Sequence, residues 1–299
     1  MAPIITEPSH LVNPLASIAQ LETSASQIDG VPRDLEASIR YETGRLNQAA
    51  GILLRLPQEI IAQSIVILQR FWTGPDGASM LKHDSKDVAA AALYLTAKPS
   101  GHCLTPRQLL TVFAFLDSLD GNYAEAASSK GTPTSQWSLS ENDYEAQRER
   151  LYANEALILR TLGFQAHVAL PYSLCINYLQ TLDAFAGPDG SSLAKRAFAH
   201  LNSALLSPQR LYLTHQPCAL VTASIYLAAR EVGSCLPEVE WWEVFDVERE
   251  ELGFLVVALR SMEGFAEEER RAWGRSRVPM TVGELRVAIA DAHGWTAGE

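Results

Sequence analysis

The sequence predicts an all-α protein built from two consecutive five-helix units. Apolar residues recur at helical spacing along most of the chain, and the alternation typical of strands is almost absent. The Ala-rich stretch VAAAALYLTAKPSG at 88–101 also has a counterpart, LVTASIYLAAREVG, at 220–233, in which Arg230 aligns with Lys98. A chain of 299 residues, 47% of them hydrophobic, is long enough for two compact domains.

Five helices are predicted in the first half of the chain. Pro57 and Pro106 suit a first helical turn, Ser85 is a good N-cap, and Pro99 disfavours helical geometry at Lys98. With the apolar spacing, these signals predict helices at Leu35–Leu54, Pro57–Trp72, Ser85–Lys98, Pro106–Leu119 and Asp143–Leu162. The polar stretch between the last two, 121–142, is predicted to be a loop.

The same criteria predict helices in the second half at Tyr172–Phe185, Ser191–Leu206, Gln216–Val232, Glu238–Phe245 and Glu248–Phe265. The third helix of each set is the Ala-rich one, and its small side chains allow close packing, as a central helix requires. The predicted organisation is a partly disordered arm at 1–33, a first fold at 34–168, a second at 169–266, and a linker with a short helix at 267–299.

Composition and missing motifs exclude several classes of function. The net charge of −11 disfavours nucleic acid as a direct partner. No apolar run reaches about 18 residues and the N-terminus has no basic segment, so neither membrane insertion nor secretion is expected. Four widely spaced cysteines indicate neither a zinc site nor a disulfide framework. Because the common nucleotide-binding and hydrolase signatures are absent, we expect no enzyme activity, cofactor or metal.

Three segments carry a resemblance to a known family. They are GRLNQAAGILLRLPQEIIAQSIVILQRFW at 44–72, YEAQRERLYANEALILRTLGFQAHVALPYSLCINYLQ at 144–180 and CALVTASIYLAAREVGSCLP at 218–237. In this order they resemble the cyclins, and among them cyclin L; the joint AAGILLRLPQ at 49–58 is the most specific part. The likeness covers about residues 20 to 265 and implies two tandem cyclin folds, the cyclin box repeat.

The resemblance implies a non-catalytic regulatory subunit that binds and activates a cyclin-dependent serine/threonine protein kinase. It further implies a role in RNA polymerase II transcription and/or pre-mRNA processing, in the nucleus, with the cytoplasm as a second location. Nothing after Phe265 resembles the Arg/Ser-rich tail of vertebrate cyclin L proteins, so a short form of the fungal type is expected. The alternatives are a cyclin of the C, K or T type, or a general transcription factor of the TFIIB kind, which the acidic charge and the lack of an N-terminal zinc ribbon disfavour.

By the same resemblance, the kinase contact falls on Lys98 and Glu155. The spacing of the residues around Glu155 supports this assignment independently of the resemblance. Glu155 shares a helix face with Leu151 and Leu159, where an unpaired carboxylate would be costly. Two other interpretations stay open: a purely structural salt bridge, or a Glu155 that reaches water. After Lys98 the chain reads Pro-Ser-Gly at 99–101 where related cyclins often carry two glutamates, a change that bears on the choice of kinase.

Overall fold

A computed structural model describes residues 11–102, 104–119, 121, 123, 139–187, 189–237, 239–274 and 276–296, with the backbone alone for 292–296. These residues contain helices and no strand, which confirms the predicted all-α class. Most of the predicted loop at 121–142, and residues 1–10 of the arm predicted to be partly disordered, lie outside the described residues. No helix of the described part is both long and apolar enough to cross a membrane.

The described α-helices are numbered in chain order. They are α1 (Ile18–Glu22), α2 (Ala25–Ile28), α3 (Arg33–Leu53), α4 (Gln58–Phe71), α5 (Ser85–Ala97), α6 (Pro106–Asp117), α7 (Glu141–Thr161), α8 (Tyr172–Thr181), α9 (Gly190–Ala204), α10 (Leu211–Thr214), α11 (Pro217–Val232), α12 (Arg249–Trp273) and α13 (Val282–Thr296). Two 3₁₀ helices cover Lys98–Ser100 and Trp241–Phe245.

The chain divides into two compact units. The first-repeat unit consists of Ser17–Ala166 together with Glu267–Glu299, and the second-repeat unit consists of Met1–Ala16 together with His167–Ala266. Each unit therefore combines a long central stretch with a segment from one end of the chain.

Helix α5 is the centre of the first-repeat unit. It packs against α3, α4, α6 and α7. Residues 88–93, which include four consecutive alanines, are each at most 4% exposed. Because alanine side chains are short, four neighbouring helices can approach α5 closely, as the sequence predicted.

The geometry of the connection between α3 and α4 restricts which residues fit in the AAGILLRLPQ segment. A Cβ atom at Gly51 would lie 2.4 Å from Cγ1 of Ile61, so only glycine fits where the two helices pack together. Arg55 adopts a positive φ of 55° between the helices, and Pro57 then precedes the first residue of α4. The AAGILLRLPQ segment is thus a tight joint whose residues are constrained by backbone geometry.

Helix α11 is the corresponding centre of the second-repeat unit. It packs against α8, α9, α10 and the 3₁₀ helix Trp241–Phe245, and residues 219–225 are each at most 2% exposed. Asn13 joins this unit: its side-chain amide both donates to the Ala169 carbonyl and accepts from the Ala169 N–H, each at 2.8 Å.

Three predicted helices of the second half differ from the structure. The first, expected at Tyr172–Phe185, already ends at Thr181. The fourth, expected at Glu238–Phe245, is instead the 3₁₀ helix Trp241–Phe245; Asp246, with a φ of 56°, ends it, and Glu238 lies outside the described residues. The fifth does not stop near Phe265 but continues to Trp273. Its last turns are exposed, so glutamate, arginine and alanine extend the helix without an apolar pattern.

Candidate functional site

Lys98 lies where α5 ends. Pro99 follows it, the backbone tightens into the 3₁₀ helix Lys98–Ser100, and Gly101 then takes a positive φ of 77°. Burial of α5 fixes this helix end, because the residues before Lys98 belong to the packed centre of the unit. The lysine side chain therefore starts from a rigid backbone and remains 45% exposed.

Glu155 lies in the middle of α7, and its side chain is only 11% exposed. Lys98 Nζ donates hydrogen bonds to both carboxylate oxygens, at 2.6 Å to Oε1 and 2.7 Å to Oε2. An ammonium group has three N–H donors, so this pairing leaves the third for another acceptor. The carboxylate neutralises the lysine from the buried side and holds its ammonium group at the surface.

Two tyrosines flank the ion pair. Lys98 Nζ lies 4.5 Å from the ring centroid of Tyr94, one turn earlier on α5, and 5.8 Å from that of Tyr152 on α7. The two rings are tilted towards each other with centroids 6.2 Å apart. Burial and the neighbouring Tyr152 raise the pKa of Tyr94 to about 12, so its hydroxyl stays protonated at neutral pH. Both rings restrict the lysine further through cation–π attraction.

The structure thus brings together the two residues that the sequence singled out. The interpretation that the Glu155 carboxylate simply reaches water is wrong, because the carboxylate is buried and paired with Lys98. The pairing alone fits both a structural salt bridge and the kinase contact, and the role of the pair stays a prediction. The sequence analysis did not identify Tyr152 as part of this site. Its position three residues before Glu155 on the same helix could have indicated that the two side chains are neighbours.

The aligned position of the second-repeat unit is built differently. Arg230 NH1 donates to the hydroxyl of Tyr226 at 3.1 Å, so the pairing of a cation with a tyrosine one turn earlier is repeated. However, Arg230 forms no ion pair with any carboxylate in the described part of the chain. The buried acid of the first repeat thus has no counterpart beside Arg230 among the described residues.

No family model matches the chain. It is 30% identical over 234 residues to Cyclin-L1 of Danio rerio, covering 78% of this chain and 43% of that protein. It is also 30% identical over 243 residues to Cyclin-L2 of Homo sapiens, covering 81% of this chain and 43% of the relative. The chain is cyclin L-like. It spans less than half the length of these two relatives.

Two solved structures share the fold of this cyclin L-like chain. A chain of the yeast RNA Pol II CTD kinase CTDK-1 complex matches with a TM-score of 0.65 and 12% identity, over 94% of this chain and 84% of its own length. A chain of the CAK complex from Chaetomium thermophilum bound to ATP-gamma-S matches with a TM-score of 0.52 and 15% identity, over 87% and 78%. At such identities the likeness establishes the fold, and it agrees with the predicted tandem cyclin folds.

Proposed function

We propose that this cyclin L-like chain is the regulatory subunit of a cyclin-dependent serine/threonine protein kinase, with no catalysis of its own. The process is RNA polymerase II transcription and/or pre-mRNA processing, and the location is the nucleus. The relatives named above are cyclin L proteins, which favours this type over the C, K and T types. One structural neighbour comes from an RNA Pol II CTD kinase complex, which supports both the partner and the process.

The observation that carries the proposal is the Lys98–Glu155 pair at the surface end of α5. A purely internal bridge would bury both charges, whereas here the lysine is 45% exposed and keeps a hydrogen-bond donor. Held by Glu155 and by the ring of Tyr94, that donor points from a rigid position and loses little entropy on binding. A kinase backbone carbonyl is a suitable acceptor for it.

Reconstitution with the native kinase tests the proposal. The cyclin-dependent kinase recovered when the protein is purified from its source should phosphorylate substrate faster with the chain present than without it. The chain alone should show no ATP turnover. Failure to recover a kinase, or ATP turnover by the highly purified chain, would contradict the regulatory role.

Substitutions at the pair test the site. Lys98→Ala and Glu155→Ala should weaken kinase binding by about 2 to 5 kcal/mol, tens to thousands of times, because a desolvated charge pair at an interface is broken. Arg107 and Glu141 provide the matched control, since they form an exposed ion pair at 2.8 Å and the acid lies on the same helix, α7. Arg107→Ala and Glu141→Ala should leave kinase affinity unchanged.

Comparison of affinity with stability separates the kinase contact from a structural bridge. A structural bridge would lower the melting temperature while affecting kinase affinity only in proportion to the folded fraction. If fully folded Lys98→Ala and Glu155→Ala proteins bind the kinase with unchanged affinity, the assignment of this site is wrong.

A further inference from the structure

The second-repeat unit contains a cleft that the proposed function does not use. It lies between α11 and α12 and has a volume of about 390 Å³. Its lining residues are Tyr226, Leu227, Arg230, Glu231, Val256 and Arg260. The volume falls in the range of about 300 to 1,000 Å³ that is usual for ligand sites. Its lining combines apolar side chains, Leu227 and Val256, with two arginines, Arg230 and Arg260.

The charges in this cleft are unbalanced. Neither Arg230 nor Arg260 forms an ion pair among the residues that the structure describes. The one acid of the lining, Glu231, is bound by Arg196 and by Nε2 of His200, the latter at 2.8 Å. The hydrogen bond from Arg196 is the main cause that lowers the pKa of Glu231. The Glu231 carboxylate is thus ionised, and its ion-pair partners are Arg196 and His200 and not the two arginines of the cleft.

Arg230 is held in place by a chain of aromatic contacts. Its guanidinium donates to the hydroxyl of Tyr226 at 3.1 Å and lies 5.8 Å from the centroid of that ring. The Tyr226 ring makes an edge contact with Trp242 at 6.3 Å, and Trp242 in turn packs against Trp241, which is only 4% exposed. A cation fixed in this way binds an anion with little loss of side-chain entropy.

The aligned cations of the two repeats have different surroundings. Lys98 of the first repeat is paired with Glu155. Arg230 has no such acid among the described residues, and it shares its cleft with Arg260. The duplicated position thus carries a neutral ion pair in one unit and an open cationic site in the other.

We propose that the Arg230–Arg260 cleft binds a phosphorylated serine or threonine of a partner peptide. A phosphate group carries about −1.5 to −2 charges and three acceptor oxygens, so two guanidinium groups can share it, whereas a single carboxylate suits one bidentate arginine. Leu227 and Val256 provide an apolar floor for the residues beside the phosphate. Recognition of phosphorylated motifs by arginine clusters is a recurring binding mode.

This site lies in the second-repeat unit and does not depend on the kinase-binding proposal. Its test uses the full chain without any kinase. A fluorescein-labelled Gly/Ser peptide with one central phosphothreonine is titrated by fluorescence anisotropy, beside the same peptide with threonine or glutamate at that position. The phosphopeptide should bind, and its affinity should fall as salt is added, because the contact is ionic.

The variants are Arg230→Ala/Arg260→Ala and, as a control, Lys195→Ala/Arg249→Ala. The control removes the same charge from exposed positions of the same unit. The cleft variant should bind the phosphopeptide at least about tenfold more weakly, since hydrogen bonds to a charged group are lost, while the control should bind as the unchanged chain does. Circular dichroism and melting curves verify that both are folded. If the alanine variant does not fold, Arg230→Lys/Arg260→Lys replaces it, and weaker binding is again expected because bidentate geometry is lost.

Several outcomes would overturn the proposal. They are no binding of the phosphopeptide, equal affinity for the threonine or the glutamate peptide, unchanged affinity in the folded cleft variant, and an equal loss in the control. None of them bears on kinase activation, so failure of this site and failure of the kinase-binding site are distinguishable.

Discussion

Removal of Lys98 should destabilise the first-repeat unit more than removal of Glu155. The two side chains share one ion pair but are unequally buried, at 45% and 11% exposure. Lys98→Ala leaves the carboxylate of Glu155 largely buried without its partner. Glu155→Ala leaves an ammonium group that water can reach. The cost of each substitution is therefore set by the charge that remains.

Breaking a fully buried pair costs about 3 to 5 kcal/mol, and breaking an exposed one costs about 1 kcal/mol or less. Because water reaches the site from the lysine side, we expect about 2 to 3 kcal/mol for Lys98→Ala, including about 0.5 to 1 kcal/mol for its contact with the Tyr94 ring. For Glu155→Ala we expect about 1 kcal/mol. The difference in the free energy of unfolding should thus be about 1 to 2 kcal/mol.

Hydrogen exchange with mass spectrometry is the suitable assay, because it reports the opening of α5 and α7 separately from the second-repeat unit. Arg107→Ala and Glu141→Ala serve as the control: those side chains are 51% and 70% exposed, so both changes should cost about 1 kcal/mol or less. Equal costs for Lys98→Ala and Glu155→Ala, or a larger cost for Glu155→Ala, would refute the reasoning from burial.

Two further predictions concern packing and thiol chemistry. Gly51→Ala should destabilise the first-repeat unit by about 1 to 3 kcal/mol in urea unfolding, because its Cβ would clash with the side chain of Ile61. In a chain that already carries Ile61→Ala, the same change should cost less, because the clashing atoms are gone. An equal cost of Gly51→Ala in both chains would mean that the clash is not the cause. Burial raises the pKa of the Cys175 thiol to about 12, so at pH 8 iodoacetamide should modify the exposed Cys235 and leave Cys175 unmodified until the protein unfolds. Peptide mass spectrometry would show this, and early modification of Cys175 in folded protein would contradict it.

Local signals in the sequence were sufficient for most of the helices. Apolar spacing and proline positions located α3 to α7 to within a few residues, since each is long and buries one face. They failed at the short helices α1, α2 and α10, which are too short to show a period. They also failed at Trp241–Phe245, where two buried aromatic residues four positions apart have the spacing of an α-helix although the backbone is a 3₁₀ helix.

The sequence by itself determined the all-α class, the duplicated Ala-rich helix and the requirement that a buried Glu155 find a partner. Only the tertiary structure decided how that requirement was met. Lys98 and Glu155 are far apart in the chain, and the packing of α5 against α7 brings their charged atoms to 2.6 Å. The Arg230–Arg260 cleft likewise could not be predicted from the sequence. Periodicity reports which face of a helix is buried, whereas the neighbour of each exposed charge is set by how separate helices pack.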